Sequence, residues 1–326
     1  LLEQAIHYQQ SGDITRAIKR YRDYIQQDPG NAGVLHALGG LYYQINDSKA
    51  AGKYLEQAHR AAPDNPDYLN DLGAFLLMTG DYPAAIPHLA ELLRRVPDYT
   101  QGHYNLGLAL HSAGRLPEAV SAFEQAIRLQ PNHAPALYNL GAIYQELGQF
   151  KKALDACRRA VHAEPNLVQA HMKLGEILSE QDLNEAAMES FGKAHALDKN
   201  NTLIVARFAL SLERSGRVSE GLRLLEETLQ SHPASVLLMN TLGQLLHNNG
   251  QIQAAEAIFR KTLSMDQGNA ESCFGLSCVH KFTMEDDDII RRMESLLQKD
   301  NLAETEVRNI CFALGKIHDD RREYDQ

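Results

Sequence analysis

The sequence lacks long apolar runs and is poor in cysteine. No run of about 18 or more apolar residues occurs among its 326 residues, and this absence predicts that no helix is inserted into a membrane. The 4 cysteines are too few and too scattered for a disulfide framework. Because free thiols are typical of reducing compartments, we predict a cytoplasmic location.

Positive charge is scarce relative to negative charge. The chain has 32 Lys and Arg residues against 42 Asp and Glu residues, which gives a formal net charge of −10. A non-specific interaction with nucleic acid or with an anionic membrane surface requires concentrated cations. The charge balance therefore argues against both of these partners and leaves protein binding open.

Tryptophan is absent too, and glycine and proline are spaced out along the chain. Leucine and alanine dominate the 44% of residues that are hydrophobic. Both are strong helix formers, and spaced Gly and Pro residues are typical of turns between short elements. This composition predicts an all-α protein built from many short helices.

A Leu-Gly pair recurs at intervals of 34 residues without an insertion. The pair, or its equivalent, stands at Leu38-Gly39, Leu72-Gly73, Leu106-Gly107, Leu140-Gly141, Leu174-Gly175, Phe208-Ala209 and Leu242-Gly243. Twelve residues after each Gly or Ala lies another small residue, at Ala51, Ala85, Ala119, Ala153, Ala187, Gly221 and Ala255. Since only small side chains let two helix backbones approach closely, each repeat is predicted to contain two helices that cross at this pair.

Glycine and proline mark the predicted ends of these helices. A left-handed C-terminal cap is expected after the first helix, at Gly12, Gly80, Gly114, Gly148, Gly216 and Gly250. Proline cannot continue a helix, and it follows the second helix at Pro29, Pro63, Pro97, Pro131, Pro165 and Pro233. Lys199 and Gln267 replace this proline without moving the register. Each unit is therefore predicted as helix, turn, helix, turn.

Together these columns resemble the tetratricopeptide repeat (TPR), and the resemblance covers nearly the whole chain. It implies a right-handed α-solenoid, a superhelix of stacked antiparallel helix pairs, in which stacking buries the apolar face of each pair. Residues 1–269 then hold a first unit without its opening residues and seven complete 34-residue units. Residues 270–326 are predicted to form atypical TPR-like helices with a truncated last unit. We expect the natural protein to continue beyond this segment.

The register changes after Leu276-Ser277, because the next Leu-Gly pair, Leu314-Gly315, comes 38 residues later. The acidic run from Glu285 to Asp288 suits a helix N-terminus, where carboxylates meet the positive end of the helix dipole. Apolar residues from Ile289 to Leu297 then predict an amphipathic helix. A last helix is predicted around Glu306 to His318.

Residues 274–326 resemble the junction at which bacterial TPR proteins run into a sulfotransferase domain. The resemblance rests on Leu314-Gly315-Lys316 and on an aspartate-rich Tyr-Asp turn from Asp319 to Asp325. It implies a transferase that uses the donor 3′-phosphoadenosine 5′-phosphosulfate. The donor loop and catalytic base of that family are not in these residues, so we predict no catalytic residue and no cofactor in this chain. The alternative is a free-standing TPR scaffold for complex assembly.

The 14 histidines form no HExxH pair and no tight Cys/His spacing, and we predict no metal site. One alternative is a zinc site in the irregular end, from Cys273, Cys278, His280, Cys311 and His318. His103 and His171 stand in a column where an aromatic ring usually packs, so we predict that both are core residues.

In this repeat family the first helix of each unit lines the concave surface. The fifth and sixth positions of the unit vary there without disturbing the register, as a binding surface does. We predict that a protein or extended peptide binds to Asn70, Tyr104, Asn105, Tyr138, Asn139, Lys173, Arg207 and Asn240. Asparagine offers the donors and the acceptor that a peptide backbone requires. A similar asparagine row lines the repeats of the O-linked N-acetylglucosamine transferase. The alternative is that these are ordinary solvated positions.

Lys173 and Arg207 are the cations of this set, and they predict an acidic segment in the ligand. The alternative is that they neutralise Glu176, Glu180 and Glu213 nearby. The Lys and Asn clamp of chaperone-tail-binding repeats is absent, so such a partner is not predicted. We expect replacement of the asparagines to weaken a ligand and to leave stability nearly intact.

Overall fold

The computed structural model describes residues 1–283, 286–298 and 302–321. Within these ranges the chain forms nineteen α-helices and no strand, which confirms the all-α prediction. The helices belong to two compact units, Leu1–Pro165 and Asn166–Gln326, which we call unit 1 and unit 2.

Unit 1 consists of antiparallel helix pairs, in which a first helix is followed by a second. The pairs are α1 (Leu2–Gln10) with α2 (Ile14–Ile25), α3 (Ala32–Gln44) with α4 (Ser48–Ala61), α5 (Pro66–Met78) with α6 (Tyr82–Arg95), α7 (Thr100–Ser112) with α8 (Leu116–Leu129), and α9 (Ala134–Glu146) with α10 (Phe150–Ala163).

Unit 2 continues the pattern and ends in an irregular group. Its pairs are α11 (Val168–Glu180) with α12 (Asn184–Leu197), α13 (Thr202–Arg214) with α14 (Val218–Ser231), and α15 (Val236–Asn248) with α16 (Ile252–Met265). The group at the end consists of α17 (Ala270–Val279), α18 (Asp287–Leu297) and α19 (Glu304–Arg321). Both α17 and α18 pack against α19. The predicted division at residue 269 stays a prediction.

The turn after each first helix has the predicted left-handed conformation. The six glycines named above have φ between 69° and 82°. Two of the 34-residue repeats lack glycine there, and Asn46 and Asp182 take its place with φ of 60° and 56°. Asn and Asp tolerate this conformation better than other residues with a side chain. The cap is therefore a property of the position.

The small-residue columns lie at close helix crossings, as predicted. A Cβ atom added to Gly107 would lie 2.7 Å from the ring of Phe123 on the paired helix, and Phe123 is fully buried. A Cβ added to Gly243 would lie 2.7 Å from Phe259 in the same way. Ala153, in the partner column, is also fully buried. The helices of a pair are thus too close for a larger residue.

The predicted amphipathic helix near the end is confirmed as α18. Asp287 and Asp288 occupy its first turn, while Ile290, Met293 and Leu296 are buried. Glu285 lies outside the described residues.

The last helix is longer than predicted, because α19 extends to Arg321. Part of the segment predicted as a turn, Asp319 to Arg321, is therefore helical. Asp320 is 3.2 Å from the Lys316 ammonium one turn earlier, and Arg321 is 2.8 Å from Asp287 on α18. These ion pairs stabilise the last turn of the helix. Residues 322–325 lie outside the described residues.

None of the described helices combines the length and the apolar character needed to cross a membrane.

Candidate functional site

We call the side of each unit that is lined by its first helices the first-helix face. On this face, clefts lie between some of the consecutive first helices, and a side chain of the intervening second helix lines each of them. The α3–α5 cleft has a volume of about 230 Å³ and contains Leu55 of α4. The α11–α13 cleft, of about 580 Å³, contains Phe191, and the α15–α17 cleft, of about 390 Å³, contains Phe259. The same column of the repeat thus supplies all three second-helix residues.

Side chains of consecutive first helices contact one another at a spacing of 35 residues, one more than the repeat. The contacts are His36 with Asp71, Tyr43 with Met78, Asn70 with Asn105, His111 with Glu146, Ser179 with Arg214, and Glu213 with Asn248. Two of these pairs, His36 with Asp71 and Asn70 with Asn105, join the fifth position of one repeat to the sixth position of the next repeat. The two columns predicted to bind a peptide therefore also bind each other.

In unit 1 these contacts form a continuous hydrogen-bonded chain across three first helices. Gln101 donates to Asn105 at 3.0 Å, and Asn105 donates to Asn70 at 2.9 Å. Asn70 donates to the Asp71 Oδ1 at 3.2 Å, and the His36 Nε2 lies 2.7 Å from the Asp71 Oδ2. The hydrogen bond with His36 lowers the pKa of Asp71, and burial opposes this effect. We call this series the amide chain.

Asn70 and Asn105 differ from the expectation of open amides. Their exposed fractions are 6% and 5%, and both side chains serve neighbouring helices. The physical reason is that contacts between consecutive first helices are spaced one residue more than the repeat length. The fifth position of one repeat is therefore directed toward the sixth position of the next repeat. Their role in peptide binding stays a prediction. Their burial does not support the expectation that they can be replaced at little cost to stability.

Asn240 in unit 2 is likewise buried, with an exposed fraction of 1%. Its amide donates to Asn269 at 2.9 Å and to Glu271 at 3.1 Å. Its carbonyl oxygen accepts from the Ser272 hydroxyl at 2.6 Å. The side chain therefore stabilises the start of α17, and a contact with a ligand stays a prediction.

Tyr104, Tyr138 and Asn139 are partly exposed on the first-helix face of unit 1. The Tyr104 ring lies 5.0 Å from that of His133 and 5.9 Å from that of Phe123. Burial raises the pKa of Tyr104, and the Asn139 side chain beside its hydroxyl opposes this effect. Asn139 also donates to a backbone carbonyl in its own helix at 2.8 Å. These three residues combine apolar area with polar groups within reach of a ligand.

The two predicted cations differ in their surroundings. The Lys173 ammonium lies 2.6 Å from Glu176, so here the alternative of neutralisation is the arrangement observed. Arg207 is exposed and lines the α11–α13 cleft with Glu176 and Glu180. Within the part of the chain that the structure describes, Arg207 makes no hydrogen bond or ion pair. It is thus available to a ligand.

Sequence reasoning missed the α3–α5 cleft. Its lining residues are His36, Gly40, Tyr43, Leu55, Asp71, Ala74, Phe75 and Met78. Tyr43 and Met78 have exposed fractions of 37% and 66%. Large apolar residues at the solvent side of two successive first helices were the signal that could have revealed it.

The histidine predictions have different outcomes. His171 is buried, as predicted, whereas His103 is only partly buried and its Nε2 lies 2.7 Å from the Pro97 carbonyl oxygen. In the irregular end, His280 lies 3.0 Å from Glu256 and 3.1 Å from Asp286. The described residues contain no group of three or more His, Cys, Asp or Glu side chains placed to hold a metal ion.

Comparison with known families identifies the repeat. A family model described as the cilia and flagella-associated protein 70 C-terminal domain matches residues 1–203. A tetratricopeptide repeat model matches residues 207–270. These matches confirm the TPR resemblance. Comparison with curated proteins finds no match.

Several solved structures are similar to this chain. A tetratricopeptide repeat protein from Parabacteroides merdae is 16% identical, over 76% of this chain and 98% of its own, with a TM-score of 0.55. MamA from Desulfovibrio magneticus is 23% identical, over 52% and 96%, with a TM-score of 0.47. YrrB, described as a TPR protein with an unusual peptide-binding site, is 18% identical, over 56% and 95%, with a TM-score of 0.47. The likeness to the Parabacteroides protein shows a common fold.

Proposed function

This chain belongs to the family of the cilia and flagella-associated protein 70 C-terminal domain, and we propose that its first-helix face binds an extended peptide segment of a partner protein. The observation that carries the proposal is the recurrence of clefts at equivalent positions of the repeat in both units. Each cleft combines an apolar side chain of the second helix with polar groups at its edge. Such concave sites, with apolar walls and a few oriented polar groups, are typical of binding sites.

A peptide array tests this proposal. The purified chain is incubated with an array of random peptides, and bound peptides are remeasured in solution by fluorescence anisotropy. We expect a family of peptides whose binding is weakened roughly tenfold by the double substitution Tyr104→Ala and Tyr138→Ala. Tyr82→Ala, on a second helix of the same unit, serves as the control. Failure of every peptide to bind would contradict the proposal.

For unit 2 we propose that Arg207 pairs with a carboxylate of the ligand. A guanidinium binds a carboxylate through two parallel hydrogen bonds, and these bonds are stronger than those between neutral groups. Arg207→Glu should weaken binding of acidic peptides roughly tenfold. Arg223→Glu is the matched control, because Arg223 is exposed on the second helix α14 and pairs with Glu227. Equal effects of the two substitutions would argue against a specific role for Arg207.

A finer proposal concerns the natural full-length protein, in which this region would precede a sulfotransferase domain. The support is the resemblance of residues 274–326, including Leu314-Gly315-Lys316, which lies in α19. The test is transfer of the sulfonate group from 3′-phosphoadenosine 5′-phosphosulfate to a bound peptide by that full-length protein.

The competing proposal is a scaffold without an enzymatic domain. It is supported by the two repeat-domain models that match residues 1–203 and 207–270. Absence of transfer, together with retained peptide binding, would favour the scaffold.

A further inference from the structure

We propose that the α3–α5 cleft binds a bulky apolar side chain of a peptide together with a neighbouring lysine or arginine, whose cation pairs with Asp71. This inference rests on the proposed peptide-binding function and names the ligand chemistry of a cleft in unit 1.

Three side chains provide the apolar part of the cleft. The rings of Tyr43 and Phe75 meet edge to face, with centroids 6.1 Å apart. Met78 lies against Tyr43, with its sulfur 3.4 Å from the Tyr43 hydroxyl. Two thirds of Met78 is exposed, so this thioether offers an adaptable apolar surface to a partner. An aromatic or aliphatic side chain would bury the surface of all three residues.

The volume of the cleft decides which side chains fit. A cavity of about 150 Å³ is large enough for a benzene molecule. The α3–α5 cleft has about 230 Å³ and is open on one side. It therefore accommodates one phenylalanine, leucine or methionine side chain of an extended segment.

Asp71 fixes the polar edge of the same cleft. Each of its carboxylate oxygens accepts one hydrogen bond, from Asn70 or from His36, and retains capacity for a further donor. The Asp71 side chain is 45% exposed. Because the amide chain holds Asn70 in place through Asn105, the carboxylate is oriented before a ligand arrives. The hydrogen bond with His36 favours the ionised form of Asp71 and lowers its pKa.

The sign of the local charge identifies the partner. The first helices of unit 1 contain Glu3, Asp67, Asp71 and Glu146 and no lysine or arginine. The cations of unit 1 lie on its second helices and turns, as in α10 with Lys151 and Arg159. A ligand cation at Asp71 therefore meets attraction from its own face, and an acidic ligand meets repulsion. This preference is opposite to the one predicted from Lys173 and Arg207.

Gly40 allows the cleft to be filled without damage to the fold. It is exposed in α3 and lines the cleft, and a Cβ atom at this position meets no described atom within 4 Å. The leucine side chain of Gly40→Leu should occupy the part of the α3–α5 cleft in which the ligand side chain would bind. Gly315 is also exposed and helical, with the same free space among the described atoms, and it lies far along the chain in α19. Gly315→Leu is therefore the matched control.

The test uses short Gly/Ser peptides that carry one central Phe flanked on both sides by Lys. Matched peptides replace the Phe with Ala or the Lys residues with Glu. Binding to the whole chain is measured by fluorescence anisotropy, and circular dichroism verifies that each variant is folded. We expect each peptide change to weaken binding at least roughly tenfold, and Gly40→Leu to do the same, while Gly315→Leu has no effect. Asp71→Asn should remove the preference for Lys over Glu.

The possible failures are distinguishable. Unchanged binding of the Lys-flanked peptide to the Gly40→Leu and Met78→Gln variants would overturn the inference, whether or not other peptides bind. Met78→Gln is included because this exposed position tolerates a polar side chain even if Gly40→Leu does not fold, and because it leaves the charge of the cleft unchanged. Equal binding of Lys- and Glu-flanked peptides would also overturn it. The proposed function itself fails only if the peptide array yields no ligand.

Discussion

The first helices of unit 1 and unit 2 share their small-residue column and the position of their clefts, but they differ in charge. Those of unit 1 carry carboxylates without lysine or arginine, whereas α11 and α13 in unit 2 carry Lys173, Arg207 and Arg214 together with Glu176, Glu180 and Glu213. The same repeat geometry therefore presents faces of different chemistry. Residues that close the helix pairs are separate from those that set the charge of the face, so the two can change independently.

The features common to both units should give the largest effects. Gly107→Leu in unit 1 and Gly243→Leu in unit 2 each force a side chain against a phenylalanine ring only 2.7 Å away. We expect each to lower the free energy of unfolding by about 3 kcal/mol, as overpacking of a core does. Urea unfolding followed by circular dichroism measures the loss. Gly315→Leu should be nearly neutral, and a similar loss there would contradict the account of close crossings.

A smaller effect should separate two asparagines within unit 1. Asn105→Ala leaves the buried Asn70 carbonyl oxygen without its donor, which should cost about 1–3 kcal/mol. Asn139 is partly exposed, and among the described residues it bonds its own helix backbone at 2.8 Å and the Tyr104 hydroxyl, so Asn139→Ala should cost less. The difference between their urea midpoints tests whether the amide chain stabilises unit 1. Equal midpoints would show that it does not.

Exchange of charge between the faces should change ligand preference by roughly tenfold, or about 1.4 kcal/mol. Asp71→Lys should convert the unit 1 cleft to binding of Glu-flanked peptides. Arg207→Asp should reduce binding of acidic peptides to unit 2. Anisotropy titrations at low and high salt measure both changes, because screening weakens the exposed ion pairs involved. Preferences that survive both exchanges would place recognition elsewhere.

The smallest effect concerns pH. Burial lowers the pKa of His59 from its usual 6.5, and the neighbouring His88 and Arg95 lower it further. The unfolded chain therefore binds more protons here below pH 6.5, so stability should fall as the pH decreases from 6.5. His59→Gln should reduce this dependence in urea titrations at several pH values, and His7→Gln, at an exposed position, should not. If the free energy of unfolding changes equally with pH in the unchanged chain and in both variants, His59 is not a cause of the pH dependence.

Much of the fold followed from the sequence, because each column reflects a local requirement. A left-handed turn favours glycine, and six glycines, with Asn46 and Asp182 in the remaining turns of this type, occupy it. A close crossing excludes large side chains, so the Leu-Gly column located the helix pairs. These constraints act within one repeat, so the 34-residue periodicity of the sequence shows them directly.

The details of the face did not follow from periodicity. The periodicity identifies equivalent residues, but it does not show which residues of neighbouring repeats are in contact. The spacing of 35 residues arises from how consecutive first helices pack, and it buried Asn70 and Asn105. The pairing of Lys173 with Glu176 could be predicted from the sequence, because residues three apart on a helix are neighbours. The α3–α5 cleft required the positions of two helices at once.

The amide chain has a consequence for how unit 1 can change over evolutionary time. It joins α3, α5 and α7 through residues whose helical phase must agree, with Asn70 bonded toward α7 and Asp71 toward α3. A single inserted residue early in α5 would rotate both side chains by about 100° and break contacts on two sides together. Substitutions can therefore alter the chemistry of this face one residue at a time, whereas we expect insertions and deletions in unit 1 to be tolerated only in the turns.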